Sequence, residues 1–465
     1  MDSIRLGVPL DGEWQLVLDP EDVGLREQWY AKSISSEGRT VTVPSVWDLW
    51  FPDYDGVGWY YREFEVGPEW RDYYASLEFE AVDYYAEVWL NGQPLGSHEG
   101  GYTPFSLPAS SALQIGKNLL AVRVIDPHGP AGYGDFRPRQ IPCAKELGYV
   151  SFAGIWGSVS LLGRHPVHIT DVFLEPDPRR KRVTATVMTT QPGDVCLTIE
   201  GTVFQTTGKP GKIILDFPEF EYWSPEHPKL YLLQCQLLQE GTLRDQTTVR
   251  FGMREFTVRE GRFFLNSQPI FLRGVLQQPD YPRSLAAPES EELARRELAL
   301  AREAGFNMVR MHIKPPSRLS LEIADELGLL IYEEPSIGWI ADSRWMRERC
   351  EREVREMILR DRNHPSVVMW GILNESGNAE YKVNGGAQLI KDDLAKLARS
   401  LDPSRVIMDD SGGVNSTREP SRLIRPYREE FEVYDDLHVY QRAPVDREIE
   451  LYLEHNGGPE KLFFL

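Results

Sequence analysis

Apolar and polar residues alternate in short runs from Trp14 to about Arg164, as in Ala75, Leu77, Phe79 and Ala81 against Ser76, Glu78 and Glu80, with glycine and proline turns between runs. A period of two buries one face of a strand and wets the other, so many such runs predict an all-β sandwich. Ala86, Val88 and Leu90 line one face of a strand that ends in Asn91-Gly92. That dipeptide tolerates positive φ and predicts a type I′ hairpin. From Pro166 to about Gly252 the alternation continues with fewer aromatics, Val183, Ala185 and Val187 against Thr184, Thr186 and Met188, which predicts a smaller sandwich of immunoglobulin type. After Met253 strands alternate with helices, the pattern of a parallel β/α barrel. Strands are expected at 271–276, 308–313, 329–332, 367–373, 405–408 and 436–440, with a helix at 289–304 closed by Gly305. A helix at 446–455 and the apolar stretch 461–465 would begin a seventh unit. The expected organisation is a sandwich over 1–165, a second sandwich over 166–253, and an incomplete (β/α)8 TIM barrel of about six strands over 254–465.

The chemistry concentrates at barrel strand tips. Pro365 breaks a charged helix, Val367 to Leu373 is too short and apolar for anything but a core strand, and Asn374 and Glu375 then emerge at its C-terminal end. Barrel enzymes place their catalytic groups there. Consecutive strand side chains diverge, so Asn374 and Glu375 can serve one site only if the strand twists or bulges at its tip. Met308, Arg310 and His312 share one face of the second strand; Asp436, His438 and Tyr440 share one face of the sixth. Glu333 and Glu334 follow the third strand, and Glu334 is placed to line a pocket, although a charge at a helix N-terminus explains it equally well. Structural ion pairing accounts equally for Arg310, a core or capping role is the plain alternative for His438, and a helix cap or surface position is the one for a strand-end glutamate. The dense aromatics of the first segment, among them Trp47, Trp59, Tyr60 and Trp89, read mainly as core.

Bulk properties narrow the partners. A formal charge of -20 disfavours nucleic acid and anionic membrane and leaves a neutral ligand such as a sugar compatible. The cysteines Cys143, Cys196, Cys235 and Cys350 have no paired spacing, so they read as free, mostly buried thiols rather than a zinc site or a disulfide framework. No apolar stretch reaches the roughly 20 residues that span a bilayer, and residues 1–14 lack the hydrophobic core of a signal peptide, so a cytoplasmic location is expected. Arg179, Arg180, Lys181 and Arg182 follow Asp177-Pro178 and read as a solvated turn.

The run from Asp361 through Asn363-His364-Pro365 to Asn374-Glu375 closely resembles the acid/base signature of glycoside hydrolase family 2, whose members include β-galactosidases, β-glucuronidases and β-mannosidases. Thr42-Val43-Pro44 with Trp47, Gly58 to Arg62, Asn91-Gly92, Gly100 to Phe105 and Gly154-Ile155-Trp156 resemble that family's N-terminal jelly roll, and Tyr222 to Pro228 resembles a motif of its central domain. The resemblance implies a jelly-roll sugar-binding-like domain, an immunoglobulin-like sandwich and a catalytic TIM barrel. It implies a retaining β-glycosidase acting on terminal β-linked sugars by double displacement, with Glu375 as acid/base and Asn374 binding the 2-hydroxyl. Arg310 would hold a catalytic carboxylate, and His438 and Tyr440 match a strand-six His-x-Tyr whose tyrosine contacts the nucleophile. The family's nucleophilic glutamate sits at the seventh strand's tip, expected just beyond Leu465, so the chain reads as a fragment of a truncated coding sequence, inactive alone. An oligomer stays open for a longer protein.

Departures from the family pattern bear on the sugar. Gln277-Gln278-Pro279-Asp280 stands where a histidine is frequent, Ile313 stands where β-galactosidases have a histidine, and Gly148 replaces an expected carboxylate. Asn374-Glu375-Ser376-Gly377 echoes magnesium-binding β-galactosidases, but one carboxylate does not make a metal site, and no cofactor is expected. The competing reading is a non-catalytic carbohydrate-binding or scaffold protein built on the jelly roll.

Overall fold

Trp14, Trp47, Tyr60, Phe79, Val88 and Val122 all lie below a tenth exposed and meet between two antiparallel sheets, because the alternating runs place every second side chain inward. The computed structural model describes residues 4–32, 38–129, 132–138, 140–142, 144, 150–338, 344–375, 386–412, 421–428, 431–436, 438, 447 and 463–464. One sheet of this first sandwich has six strands and the other four. Strands Tyr85–Leu90 and Gln93–Glu99 are joined at Asn91-Gly92, both at positive φ (53° and 77°), the mirror-image turn that the dipeptide favours. Trp47, Trp59, Tyr60 and Trp89 are buried, in keeping with a core role.

The central sandwich packs a three-stranded sheet on a four-stranded one, with Val183, Ala185, Val187, Val195, Leu197 and Ile199 wholly inside. Residues 178–180 form one turn of 3-10 helix, capped by the Asp177 carboxylate accepting from the Arg180 amide at 3.1 Å. Cys235 and Cys350 are buried free thiols and Cys196 is half-buried; Cys143 lies outside the described residues.

The barrel sheet runs parallel through Gly274–Gln277, Met308–Met311, Leu330–Glu333, Val367–Asn374 and Val406–Ser411. An antiparallel strand, Ser421–Ile424, is then inserted before Phe431–Asp436, which pairs in parallel with Phe463–Phe464. The helices are α1 (Glu291–Glu303), α2 (Arg318–Leu327), α3 (Met346–Asp361) and α4 (Gly386–Leu401). Ser290 and Ser317 cap the first two by accepting amides of their first turns.

Three sequence expectations change. The first barrel strand starts at Gly274 rather than Phe271, because Ile270 and Leu272 pack instead on the barrel floor. The strand expected at 436–440 lies at Phe431–Asp436, where Phe431, Val433 and Tyr434 supply the β-branched and aromatic residues, so His438 stands beyond the strand end rather than on its face. The strand 421–424 was not anticipated, because it interrupts the βα alternation.

A buried apolar cluster closes the base of the barrel. Phe256, Val258, Phe263 and Leu265, from a hairpin at the start of this segment, share a buried cluster with Met308, Leu330, Tyr332, Met369 and Met408 of the strands. Trp223 joins them, its indole nitrogen donating to the Asp325 carbonyl at 2.9 Å. Arg254 donates to the carbonyls of Pro365 and Val367, at 2.9 and 2.6 Å, and so fixes the start of the fourth strand.

The first sandwich docks on α3 through charge. Arg349 and Arg352 pair with Glu99, and Glu356 meets His98 at 3.0 Å and the Thr103 hydroxyl at 2.6 Å. Glu353, wholly inside this contact, accepts from Ser336 and is pushed up to about 8, first by burial and then by the charges of Glu356 and Glu99, with Arg352 opposing. Its folded pKa exceeds its unfolded one, so the folded state binds the extra proton and stability is lost as pH rises through this range. Thermal unfolding should therefore occur at a higher temperature at pH 5.5 than at pH 8.5, and Glu353→Gln should flatten the difference. An unchanged slope in that variant would exclude Glu353 as the source.

Candidate active site

At the C-terminal rim of the parallel strands, five of the six expected site residues meet in one hydrogen-bonded chain. Arg310, on the second strand, reaches Glu334 with two donors, Nε to Oε2 at 3.2 Å and Nη2 to Oε1 at 2.7 Å. Nη2 also donates to Asn374 Oδ1 at 2.6 Å, and Nη1 lies 3.3 Å from His438 Nε2. His438 Nδ1 is 2.6 Å from Glu375 Oε1. The sixth, Tyr440, lies outside the described residues.

These contacts fix the tautomer. A guanidinium can only donate, so His438 Nε2 accepts, and the ring proton sits on Nδ1, where it donates to the Glu375 carboxyl. Ser411 Oγ, 3.1 Å from the same Nε2, donates there too. The same logic orients Asn374: its oxygen is held by Arg310, which aims its amide nitrogen elsewhere. That nitrogen is buried and has no hydrogen-bond partner among the described residues.

Backbone conformation brings Asn374 and Glu375 together. Asn374 closes the fourth strand in register with Ser411, and the Glu375 amide still donates to the Ser411 carbonyl at 2.8 Å. Glu375 then turns to φ 50°, the left-handed region that costs an L-residue about 1 kcal/mol or more. The turn swings its carboxyl over the barrel mouth toward His438 instead of across to the opposite face. Two glycines make room. A Cβ on Gly371 would lie 2.5 Å from the Tyr332 ring and 2.6 Å from Glu334, and one on Gly412, at φ 72°, would lie 2.6 Å from His438 Nδ1.

Glu333 and Glu334 divide their roles. Glu334 turns into the mouth, its side chain 2% exposed, and burial raises its pKa against the pull of Arg310. Its partner is the guanidinium, so the helix N-terminus alternative does not describe it. Glu333 turns outward into a buried cluster with Arg360, 3.6 Å away, and Asp361. Burial and then the Asp361 charge push the Glu333 carboxyl well above its ordinary value. Arg310 also lies over the Tyr332 ring, 5.1 Å from its centre, so that ring floors the site. His312, on the same strand face as Arg310, meets Gln278 Nε2 at 3.1 Å through Nδ1.

Ser411 and Tyr332 are the site members that sequence reasoning missed. Their signal was present: Asp409, Asp410 and Ser411 form a polar end to the fifth strand, the same pattern as Asn374 and Glu375 on the fourth, and all three are buried.

A family model described as the sugar binding domain of glycosyl hydrolases family 2 matches residues 48–165, a second, described as glycosyl hydrolases family 2, matches 167–254, and the TIM barrel domain of the same family matches 256–461. The chain belongs to glycoside hydrolase family 2. This family 2 chain is 30% identical over 398 residues to a β-galactosidase of Thermoanaerobacter pseudethanolicus, an alignment covering 80% of the chain and 50% of that protein. It is 29% identical over 421 residues to a β-galactosidase of Thermoanaerobacterium thermosulfurigenes, covering 84% and 55%. Among solved structures, a β-glucuronidase from Ruminococcus gnavus in complex with D-glucuronic acid superposes with a TM-score of 0.77 at 22% identity, over 88% of this chain and 73% of the other. At that identity the likeness speaks for the fold. The chain spans about half the length of the curated relatives it matches. The multidomain fold is the family 2 arrangement of jelly roll, immunoglobulin-like sandwich and TIM barrel.

Proposed function

We propose that this chain carries the sugar-binding and proton-donating part of a retaining β-glycosidase that releases terminal β-linked sugars. The observation that carries the reading is the Glu375 carboxyl, turned over the barrel mouth and joined through His438 to the Arg310, Glu334 and Asn374 group. In this reading Glu375 protonates the departing glycosidic oxygen, then takes a proton from water when the glycosyl-enzyme bond is broken. Asn374 donates its amide, unpartnered among the described residues, to the sugar's 2-hydroxyl, a bond that strengthens as the ring flattens toward the oxocarbenium ion. Arg310 holds Asn374 and the Glu334 charge in place, so the donors need no rearrangement when positive charge develops on the sugar.

A retaining mechanism needs a second carboxyl about 5 Å from the first. Glu334 is tied at both oxygens to Arg310, and the curated relatives are about twice the matched length. Both facts support a nucleophile other than Glu334, carried by a barrel strand later than the sixth, to which Tyr440 is assigned.

A panel of 4-nitrophenyl β-glycosides, including the galactoside and the glucuronide, tests this. The 465-residue chain is expected to release no nitrophenol, and a form extended past Leu465 is expected to hydrolyse at least one member. Silence from the extended form would overturn the glycosidase reading in favour of a carbohydrate-binding protein. Turnover by the 465-residue chain would overturn the placement of the second carboxyl alone.

A further inference from the structure

At the opposite end of the barrel from Glu375, between the central sandwich and the strand starts, lies a cleft of about 870 Å³. The fourth strand separates the two ends by about 23 Å, taking 3.3 Å per residue. Ten arginines and lysines line this cleft against three carboxylates, in a chain whose overall charge is -20. The excess is local and of the opposite sign to the rest of the surface.

The cations differ in how they are engaged. Arg180, Lys212, Arg259 and Arg428 stand exposed around the rim. Arg180 has Asp177 at 3.2 Å and Lys212 has Glu175 at 3.8 Å, pairings in which the cation itself stays exposed. Arg259 lies over the Phe264 ring. The floor is more telling. Arg254 is buried, and its two hydrogen bonds go to backbone carbonyls, not to a carboxylate. Burial, then repulsion by neighbouring Arg405, lowers its pKa to about 9. Arg405 beside it is paired with the buried Asp402 at 2.6 Å, so Arg254 is the floor cation whose hydrogen bonds reach only backbone dipoles among the described residues.

We propose that this cleft binds a small multivalent oxyanion, phosphorylated or sulfated, at a site separate from the barrel mouth. The volume falls within the range of small-molecule sites, about 300–1,000 Å³, and guanidinium forks match tetrahedral oxyanions in geometry as well as charge. Exposed arginines and lysines on two walls, from the central sandwich (Arg180, Lys212) and from the barrel base (Arg259, Arg428), give a ligand with several charges simultaneous contacts on both. Occupancy would clamp the central sandwich to the barrel.

Isothermal titration with tripolyphosphate and, separately, with a sulfated disaccharide tests the site. The protein is expected to bind at least one of them saturably, less tightly as sodium chloride rises from about 50 to 300 mM. Lys212→Glu combined with Arg428→Glu should weaken that binding about tenfold or more, and Arg26→Glu, on the first sandwich, should leave it within about twofold. Both substituted cleft residues are exposed, and an unchanged unfolding temperature checks that the double variant is folded. Binding of tripolyphosphate alone assigns a phosphorylated ligand, and binding of the sulfated sugar alone a sulfated one. No saturable binding of either up to about 1 mM, or binding indifferent to the double charge reversal, overturns the proposal.

Discussion

Glu375→Ala, in a form of the protein that turns over, should lower kcat/KM for glycosides with poor leaving groups by about 10²- to 10⁴-fold, the usual contribution of a positioned general acid. Aryl glycosides with good leaving groups need little protonation, so their first step should survive, and azide, which needs no general base to attack, should restore turnover by forming the β-glycosyl azide. The asymmetry between substrates is the diagnostic feature, because a merely misfolded variant loses all of them together. His438 supports the expectation structurally: its Nδ1 proton is directed at Glu375 Oε1 from 2.6 Å, so the carboxyl is held at the mouth before any sugar arrives. Equal kinetics for variant and parent on poor and good leaving groups would remove Glu375 from the mechanism.

Arg310→Ala should be the most damaging single change to the folded site. It strands the Glu334 carboxylate, 2% exposed, without its bidentate partner, and breaking a buried pair from one side costs about 3–5 kcal/mol. It also frees Asn374 Oδ1 and removes one of the two donors to His438 Nε2, so activity and stability should fall together. Arg310→Ala with Glu334→Leu should recover most of the stability, since both charges are gone, but none of the activity. Denaturant titrations of the two single variants and the double one decide the matter. If the single costs add with no coupling, the pair is not the bond that holds the site.

The tip of the fourth strand was legible because its constraints are local: a proline that ends a helix, seven apolar residues and two polar ones leave little choice. Arg310 was legible through strand periodicity, since its side chain must lie on the face of Met308, which is buried in the barrel. The roles of Glu333 and Glu334 were not separable by that route. Leu330–Glu333 is buried throughout, so apolarity does not mark which face looks inward, and Arg360 and Arg310, distant in sequence, decide it. Ser411 was missed because the strand was expected to stop at Met408, whereas Lys391 on α4 lies 3.7 Å from Asp409 and lets the strand continue through a buried charge. The sixth strand was displaced for a related reason: the inserted strand Ser421–Ile424 reverses direction, and no periodicity announces a change of pairing partner.

The grip of Arg254 on Pro365 and Val367, with Trp223 seated against Asp325 and Asp325 in turn holding His364 and the Ser366 amide, reaches from the central sandwich to the root of the strand that ends in Glu375. The Glu375 carboxyl is thus aimed from behind, as a lever is set by its fulcrum. Exchanging the middle domain for a foreign one, however well it folded, would unseat that pivot, so these modules are interchangeable on paper but inherited as a single mechanical piece.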